Sequence, residues 1–439
     1  MLTLEGFAEL QAVMPEVEMR EDSSLEGTVA IFPKTEEDIA SILKYCNEKM
    51  KTVSVSGGGT KRLKAGEEKA DIKLSLAKYT GIVEHIPGDM TVTVKAGTRY
   101  QELQDYLAGY NQKVALDPSW PEFASVGGVV AANDSGPKRL GYGTARDAVI
   151  GLRTVYPDGR VIRSGGKVVK NVAGYDMNKL FIGSMGTLGV ISEITLKLRP
   201  LPKAESLVLL SFTREELGDL RSFACQLLDS MMEPAALELL NPALSQKLTG
   251  EDSYTLAISF EDVESSVAYQ EEFVKRNKPE NSRLKILQNK EARLFWKKIY
   301  SVAPVGKPMV EPPLGTSSLA AAALKIGVVN LNVIEVAKEC QLITEANSVI
   351  AEAHGGLGTG VCQVVLRGAC EDISKSISYL RDYALKLGGY ATVKQLPHNL
   401  QGEIDVWGEK PSYFFLLEGI KKKIDPNKIL NTNRFVGGI

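Results

Sequence analysis

Histidine and tryptophan are scarce in this chain, three of each in 439 residues. Any catalytic or metal-binding histidine must therefore be His85, His354 or His398. Cysteine is thin as well: Cys46, Cys225, Cys340, Cys362 and Cys370 are scattered with no CxxC pair. That spacing excludes a locally encoded disulfide framework, zinc site or iron–sulfur cluster, and iron–sulfur chemistry would have to come from a partner. Charge of one sign is lacking too, with Lys+Arg 52 against Asp+Glu 54 and a net of -2. Such balance argues against a nucleic-acid partner held by counterion release. No apolar run is long enough to span a bilayer. The start, MLTLEGFAELQAVMPEVEMRED, lacks the basic region, continuous apolar stretch and small-residue cleavage site of a secretory signal. The expectation is a cytoplasmic protein, associated with a membrane only through partners.

What is present describes a soluble α+β protein of two or three domains, with 44% hydrophobic and 24% charged residues. Residues 1–111 read as a small α+β unit. TVAIFP leads into a capping box at Thr35 and Asp38, followed by the helical face Ile39, Ile42, Leu43 and Cys46. KTVSVS and MTVTVKAG read as strands, and Thr98 with Gln101 as the cap of a helix whose inner face is Leu103, Tyr106 and Leu107. Residues 112–200 form a second, mostly β unit, with a hairpin turning at Pro157-Asp158-Gly159 and a clean alternation in ISEITLKLRP. Residues 201–400 spell βαββαβ twice, the second copy starting near Leu324, which predicts two ferredoxin-like halves sharing one antiparallel sheet. SVAPVGKPMVEPPLGTSS between them reads as a connector. Residues 401–439 are a short segment that needs another domain to pack on.

Three glycine-rich stretches carry the chemistry. VSVSGGGTKRL places Gly57, Gly58 and Gly59 directly after a strand, where bare backbone N–H groups can converge on an anion. The stretch is neither a Rossmann GxGxxG opening an apolar-faced helix nor a Walker sequence. A second cluster, LDPSWPEFASVGGVVAANDSGPKRLGYGTARDAVIGL, has many small hydroxyl and glycine residues and few that look like core. The third, GSMGTLGVI, precedes a strand.

Taken in order, these motifs resemble the FAD-binding domain of the vanillyl-alcohol oxidase and p-cresol methylhydroxylase family, over roughly Glu26 to Pro200. KNVAGYD and GTLGVISEITLKLRP are most similar to the smaller flavin subunits of bacterial glycolate oxidases. The resemblance implies a flavoprotein oxidoreductase: a two-subdomain FAD-binding domain over 1–200, a ferredoxin-like cap over 201–400, and a tail, 401–439, returning to the FAD domain. By that resemblance Ser56, Gly57, Gly58, Gly59 and Thr60 hold the pyrophosphate. Asp117, Pro118, Ser125, Gly128, Asn133, Ser135 and Gly136 follow the diphosphate and the flavin edge. Tyr142, Gly143, Gly189, Val190 and Ile191 complete the adenine end, and Asn431 approaches the flavin from the tail. Relatives that tether FAD covalently use a His or Cys near the first or second loop; neither SGGGTKRL nor PSWPEFASVGG has one, so the flavin is expected to be non-covalent.

The substrate side matches less well. Oxidising a 2-hydroxy acid needs a carboxylate clamp and an acceptor for the hydroxyl proton. Larger relatives use an HxGDGN segment to bind a metal; the nearest stretch here, AEAHGGLGTG, keeps His354 in what reads as a glycine-rich turn but lacks the Asp and Asn, so no metal site is expected. KKIYS follows Trp296 without the relatives' Arg, and Met185 stands where they usually have Glu. Candidate catalytic residues are Lys325, His354 and Tyr175; His85 reads as a solvated turn residue. The resemblance implies electron transfer from glycolate or D-lactate through FAD to an iron–sulfur partner, beside a larger catalytic flavin subunit. A self-sufficient dehydrogenase of another hydroxy acid or alcohol, and a non-catalytic FAD-containing subunit, are the alternatives.

Overall fold

The computed structural model describes residues 9–12, 14–21, 28–61, 70–166, 175–304, 320–346 and 349–439. Most of the expected connector, the end of the first glycine loop and KVVKNVAG (167–174) lie outside the described residues. The chain forms two compact units. One comprises Met1–Asp134, Thr144–Pro200 and Trp407–Ile439, the other Ser135–Gly143 and Leu201–Val406.

The first unit contains two main sheets. Strands Glu18–Glu21, Val29–Phe32, Ile72–Ser75 and Val53–Ser56 lie in that order, the last three parallel. Strands Ile82–Ile86, Thr91–Lys95, Val190–Lys197, Val149–Val155 and Val161–Gly165 form an antiparallel sheet. Helix Glu36–Glu48 begins where the sequence says it should: Thr35 Oγ1 accepts from Asp38 N at 3.0 Å, and Asp38 Oδ2 accepts from Thr35 N at 2.9 Å. Its inner face buries Ile39, Ile42, Leu43 and Cys46. Burial pushes the Cys46 thiol up to about 12, leaving it inert.

Glu36, at the start of that helix, fastens it to the antiparallel sheet. Its Oε1 accepts from Arg153 Nε at 2.9 Å and from Ser192 Oγ at 2.6 Å. Burial alone would raise this carboxyl, but the hydrogen bonds from Arg153 and Ser192 hold it below its ordinary value.

The C-terminal segment returns to the first glycine strand. Val53 and Leu430 form a parallel bridge, Val53 N donates to Ile429 O at 2.7 Å, and Asn431 N donates to Val53 O at 2.9 Å. Helix Phe414–Ile424 delivers Lys421 into the interior, where its ammonium meets Asp425 Oδ2 at 2.6 Å, Thr187 O at 2.8 Å and Leu430 O at 3.1 Å. Asp425, with 0% of its surface exposed, also accepts from Ile429 N and Leu430 N. Burial lowers the Lys421 pKa, which Asp425 counteracts.

The second unit is built on an eight-stranded sheet, antiparallel throughout, in the order Arg283–Gln288, Ala204–Phe212, Tyr254–Asp262, Ala236–Leu240, Ile350–Gly356, Val361–Gly368, Ala320–Gly327, Tyr390–Gln395. Numbered within each βαββαβ copy, that order is 4-1-3-2 followed by 2-3-1-4. The halves therefore join through their second strands, as a duplicated ferredoxin-like pattern should. Helix Asn289–Ile299 supplies Phe295 and Trp296 to a core with Leu207, Leu209, Leu240, Ala257 and Val365.

Local expectations fail in five places. Thr98 does not cap a helix: its hydroxyl accepts from Gly81 N at 3.0 Å, and helix Tyr100–Ala108 starts after Arg99 with no side-chain cap. Tyr106 is exposed beside Tyr110 and His85, while Leu103 and Leu107 face inward together with Tyr100. His85 is no turn residue; it lies on strand Ile82–Ile86 with Nε2 2.9 Å from Gln112 Oε1. The second glycine cluster is not coreless, because Val126–Ala132 is a helix burying Val126, Val129 and Val130. His354 sits on strand Ile350–Gly356, and the glycine-rich turn begins after it.

Two outcomes are expected. Because Glu36 is held below its ordinary value of about 4.3, its contribution is present above that pH and is lost as pH falls through the folded value; Glu36→Gln should therefore flatten the acid limb of a stability-against-pH curve. Asp425→Ala leaves Lys421 buried without its anion and should cost about 3–5 kcal/mol, read as a lower denaturant midpoint.

Candidate flavin site

In the first unit the three glycine clusters converge through two side chains. Ser125, the cap of helix Val126–Ala132, accepts from Gly128 N at 3.2 Å and from Gly58 N at 3.3 Å. Asn431 Oδ1 accepts from Val55 N at 2.7 Å, and its Nδ2 donates to Met185 O at 2.8 Å. Gly186, at φ 72°, has no room for a side chain because a Cβ would stand 2.6 Å from Asn431 Nδ2. Met185 N and Gly183 N donate to Ala131 O and Val130 O, setting GSMGTLG on the end of the helix.

The first loop needs glycine for two different reasons. A Cβ on Gly57 would lie 2.0 Å from Ser125 Oγ, and one on Gly58 1.9 Å from Phe123 O, so both are required by close approach. Gly59 instead adopts φ 75° with open space around it. Among the described residues none accepts a hydrogen bond from Gly57 N, Gly59 N or Thr60 N. Asn133, the left-handed end of the helix at φ 45°, carries an enclosed Oδ1 that no described group meets. Bare donors at one end of the helix and an orphaned acceptor at the other are what a cofactor with a phosphate and a donor-bearing ring would satisfy.

Sequence reasoning missed several participants. Lys61 Nζ pairs with Asp134 Oδ2 at 2.6 Å, both side chains under 10% exposed, and Ser119 donates to the same carboxylate through N at 3.0 Å and Oγ at 2.9 Å. Arg434 donates to Val55 O at 2.8 Å and Ser54 Oγ at 2.5 Å. A Lys following a glycine loop and an Asp after a helix-ending Asn were visible in the sequence, but nothing local paired them across 73 residues.

The other expected residues are distributed as follows. Asp117 is buried near Tyr100, whose hydroxyl bonds Leu116 O at 2.5 Å. Pro118 is buried in the same approach to the helix. Gly189, Val190 and Ile191 enter strand Val190–Lys197; a Cβ on Gly189 would lie 2.6 Å from Thr154 Cγ2, so its lack of a side chain serves packing. Ser56 ends its strand half-buried. Ser135, Gly136, Tyr142 and Gly143 belong to the second unit, where the Tyr142 hydroxyl donates to Glu261 Oε2 at 2.7 Å and Ser135 Oγ is enclosed without a described partner. Lys138 joins the same Glu261 and lies 5.9 Å from the Trp296 ring centre.

Of the catalytic candidates, Tyr175 is 95% exposed, whereas Lys325 and His354 share the large sheet. His354 Nδ1 stands 2.6 Å from Glu238 Oε1, and both side chains are buried. Burial pushes the Glu238 carboxyl up, opposed by the hydrogen bond from His354 and the charge of Arg139. Among the described residues no group of three His, Cys, Asp or Glu side chains could hold a metal, and no helix is long and apolar enough to cross a membrane.

Comparison with known proteins accounts for the glycine clusters. Residues 28–165 match the FAD binding domain family. The chain is 29% identical to the mitochondrial D-lactate dehydrogenase [cytochrome] of Arabidopsis thaliana over 93% of this chain and 73% of that one. It is 35% identical to glycolate oxidase subunit GlcE of Escherichia coli (strain K12), over 40% of this chain and 50% of that subunit. With a D-lactate dehydrogenase of Archaeoglobus fulgidus it shares 34% identity across 52% of this chain and about half, 51%, of the relative. In fold it is similar to p-cresol methylhydroxylase with substrate bound, at a TM-score of 0.71 and 15% identity, covering 99% of this chain and 97% of that one. FAD is the cofactor these likenesses support, and its isoalloxazine supplies a two-electron acceptor when bound.

Gly58→Ala should abolish stoichiometric FAD, because its Cβ cannot coexist with Phe123 O; Gly59→Ala should keep FAD at a stability cost of about 1–2 kcal/mol. Flavin absorbance per protein after desalting reads both, and full occupancy in the Gly58 variant would count against this loop as the cradle. With three glycine clusters tied together by Ser125 and Asn431, the chain carries an FAD-binding domain over residues 28–165 and is similar to D-lactate dehydrogenases along most of its length.

Proposed function

We propose that this protein is the FAD-binding subunit of a glycolate oxidase-type 2-hydroxy-acid dehydrogenase, taking electrons from glycolate or D-lactate and passing them to an iron–sulfur partner beside a larger flavin subunit. The observation that carries the reading is the convergence of the three glycine clusters on Ser125 and Asn431, in a chain similar to both glycolate oxidase subunits and D-lactate dehydrogenases. The scattered cysteines, with no CxxC pair, are in keeping with an iron–sulfur cluster carried by another chain. In this reading Ser56 to Thr60 hold the pyrophosphate, with the N–H groups of Gly57, Gly59 and Thr60 offered to it. Asp117, Pro118, Ser125, Gly128, Asn133, Ser135 and Gly136 line the diphosphate and flavin edge, and Tyr142, Gly143, Gly189, Val190 and Ile191 the adenine end. Asn431, whose amide is engaged by Val55 and Met185, acts by setting the loop rather than by reaching the ring.

A second reading, a dehydrogenase able to oxidise substrate by itself, is favoured by the buried Glu238–His354 pair. Lys325 would then serve the substrate carboxylate. Anaerobic titration of the FAD-loaded protein with glycolate and with D-lactate separates the two. Bleaching of the flavin band by the protein alone is expected if it holds its own substrate site. Bleaching only after addition of the larger subunit assigns hydride transfer to that partner, and no bleaching in either case overturns both readings.

A further inference from the structure

The first glycine loop is fastened to the second cluster at both of its ends. At the entry Gly58 N donates to Ser125 Oγ at 3.3 Å, and Gly57 and Gly58 press on Ser125 and Phe123 so closely that neither has room for a Cβ. At the exit Lys61 Nζ donates to Ser119 O and, at 3.0 Å, to Ser119 Oγ, and it pairs with Asp134 Oδ2 at 2.6 Å. Gly59 and Thr60 lie between the two fastenings. Their N–H groups, which no described residue receives, thus belong to a short span held at both ends.

Ser119 to Ser125 is the wall on which the loop leans, and it contains a strained residue. Trp120 stands at φ 51°, in the left-handed region, where the Cβ of a bulky residue crowds the following carbonyl. The peptide planes on either side of its Cα are both held. On one side Ser119 O accepts from Lys61 Nζ, while Ser119 N and Oγ donate to Asp134 Oδ2 at 3.0 and 2.9 Å. On the other, Trp120 O accepts from Phe123 N at 3.0 Å and from Ala124 N at 2.9 Å. Backbone strain persists only where the surroundings over-determine it, and one half of that constraint is the Lys61–Asp134 pair. The two side chains are 8% and 7% exposed. Removing one member of such a pair leaves the other buried without its counter-charge, a far larger loss than at a surface ion pair.

We infer that Lys61 is a positioning residue for FAD. Through Ser119 its ammonium holds the Trp120 turn in the left-handed shape that sets Phe123 O and Ser125 against Gly57 and Gly58. The Gly59 and Thr60 N–H groups are thereby fixed where they meet the pyrophosphate. Asp134 supplies the anion that keeps the ammonium at Ser119, and neither side chain has to touch the cofactor. The inference rests on the first loop being the pyrophosphate cradle.

The test uses the full-length, FAD-loaded protein. Release of FAD after dilution is followed by the rise of free-flavin fluorescence, and phosphorus NMR reads the bound pyrophosphate. Lys61→Met should release FAD roughly tenfold faster or more and shift the pyrophosphate resonances, with Asp134→Asn acting in the same direction. The double variant should release it no faster than the quicker single one, because the two groups act as a unit. Lys61→Arg, which keeps the cation, should fall between Lys61→Met and wild type. Trp120→Asn placed in the Lys61→Met background should recover part of the loss, since asparagine accepts the left-handed region without outside help. Lys49→Met removes an exposed ion pair with Glu9 in the same unit and should leave release within about twofold of wild type. Far-UV circular dichroism checks folding; if Lys61→Met does not fold, the near-isosteric Asp134→Asn and the charge-keeping Lys61→Arg decide. Release from Lys61→Met within about twofold of wild type, unshifted phosphorus resonances, or no recovery on Trp120→Asn would overturn the inference. A wild type that takes up no FAD would overturn the cradle itself, a failure distinct from a wild type that holds FAD no better than Lys61→Met.

Discussion

One side chain amide holds the flavin unit's business end in place. Asn431 has a donor and an acceptor set about 120° apart, and spends one on Val55 N and the other on Met185 O. Each is a backbone group, and leaving such a group buried and unpaired costs about 1–3 kcal/mol. The strand entering the first loop and the turn of the third cluster thus have their relative position set by a residue from the far end of the chain. Arg434 on Val55 O and the Lys421–Asp425 pair behind Leu430 and Thr187 make that segment too well anchored to drift. The loop needs this outside support because Gly57 to Gly59 have no side chains to pack it.

Much of this was legible in the sequence where the signal is local. The Thr35 and Asp38 capping box and the Pro157-Asp158-Gly159 hairpin are each written within a dozen or so residues, the repeated βαββαβ pattern is a string of such short signals, and each formed. Periodicity failed where apolar character serves something other than a core: Tyr106 follows helical spacing but packs outside, edge-on to His85 and tilted against Tyr110. Glycine misled in the opposite direction. Within SVGGVVAAN the glycines suggest an open loop, yet they permit a short helix to press against Ala96, where a Cβ on Gly127 would lie 2.7 Å away.

The site was legible by motif and opaque by contact. Clusters that contain the cradle can be found from their glycines, but the residues that tie them, Lys61 to Asp134 and Arg434 to Ser54, are ordinary polar residues far apart in sequence. His354 shows the same limit. Beside Gly355 and Gly356 it reads as a turn, because nothing local reveals that a neighbouring strand brings Glu238 alongside; the glycines there make room for Cys362 and Thr359 instead of bending the chain.

The duplicated sheet gives that pair a history. Glu238 comes from the second strand of the first half and His354 from the second strand of the second half, and these are the two strands that meet. Two identical halves related by a twofold axis would place the same residue types on both sides of the seam, so a glutamate facing a histidine at a single place requires the copies to have diverged. Cutting the chain within 305–319 would therefore leave each half with one member of the pair and no complement of its own.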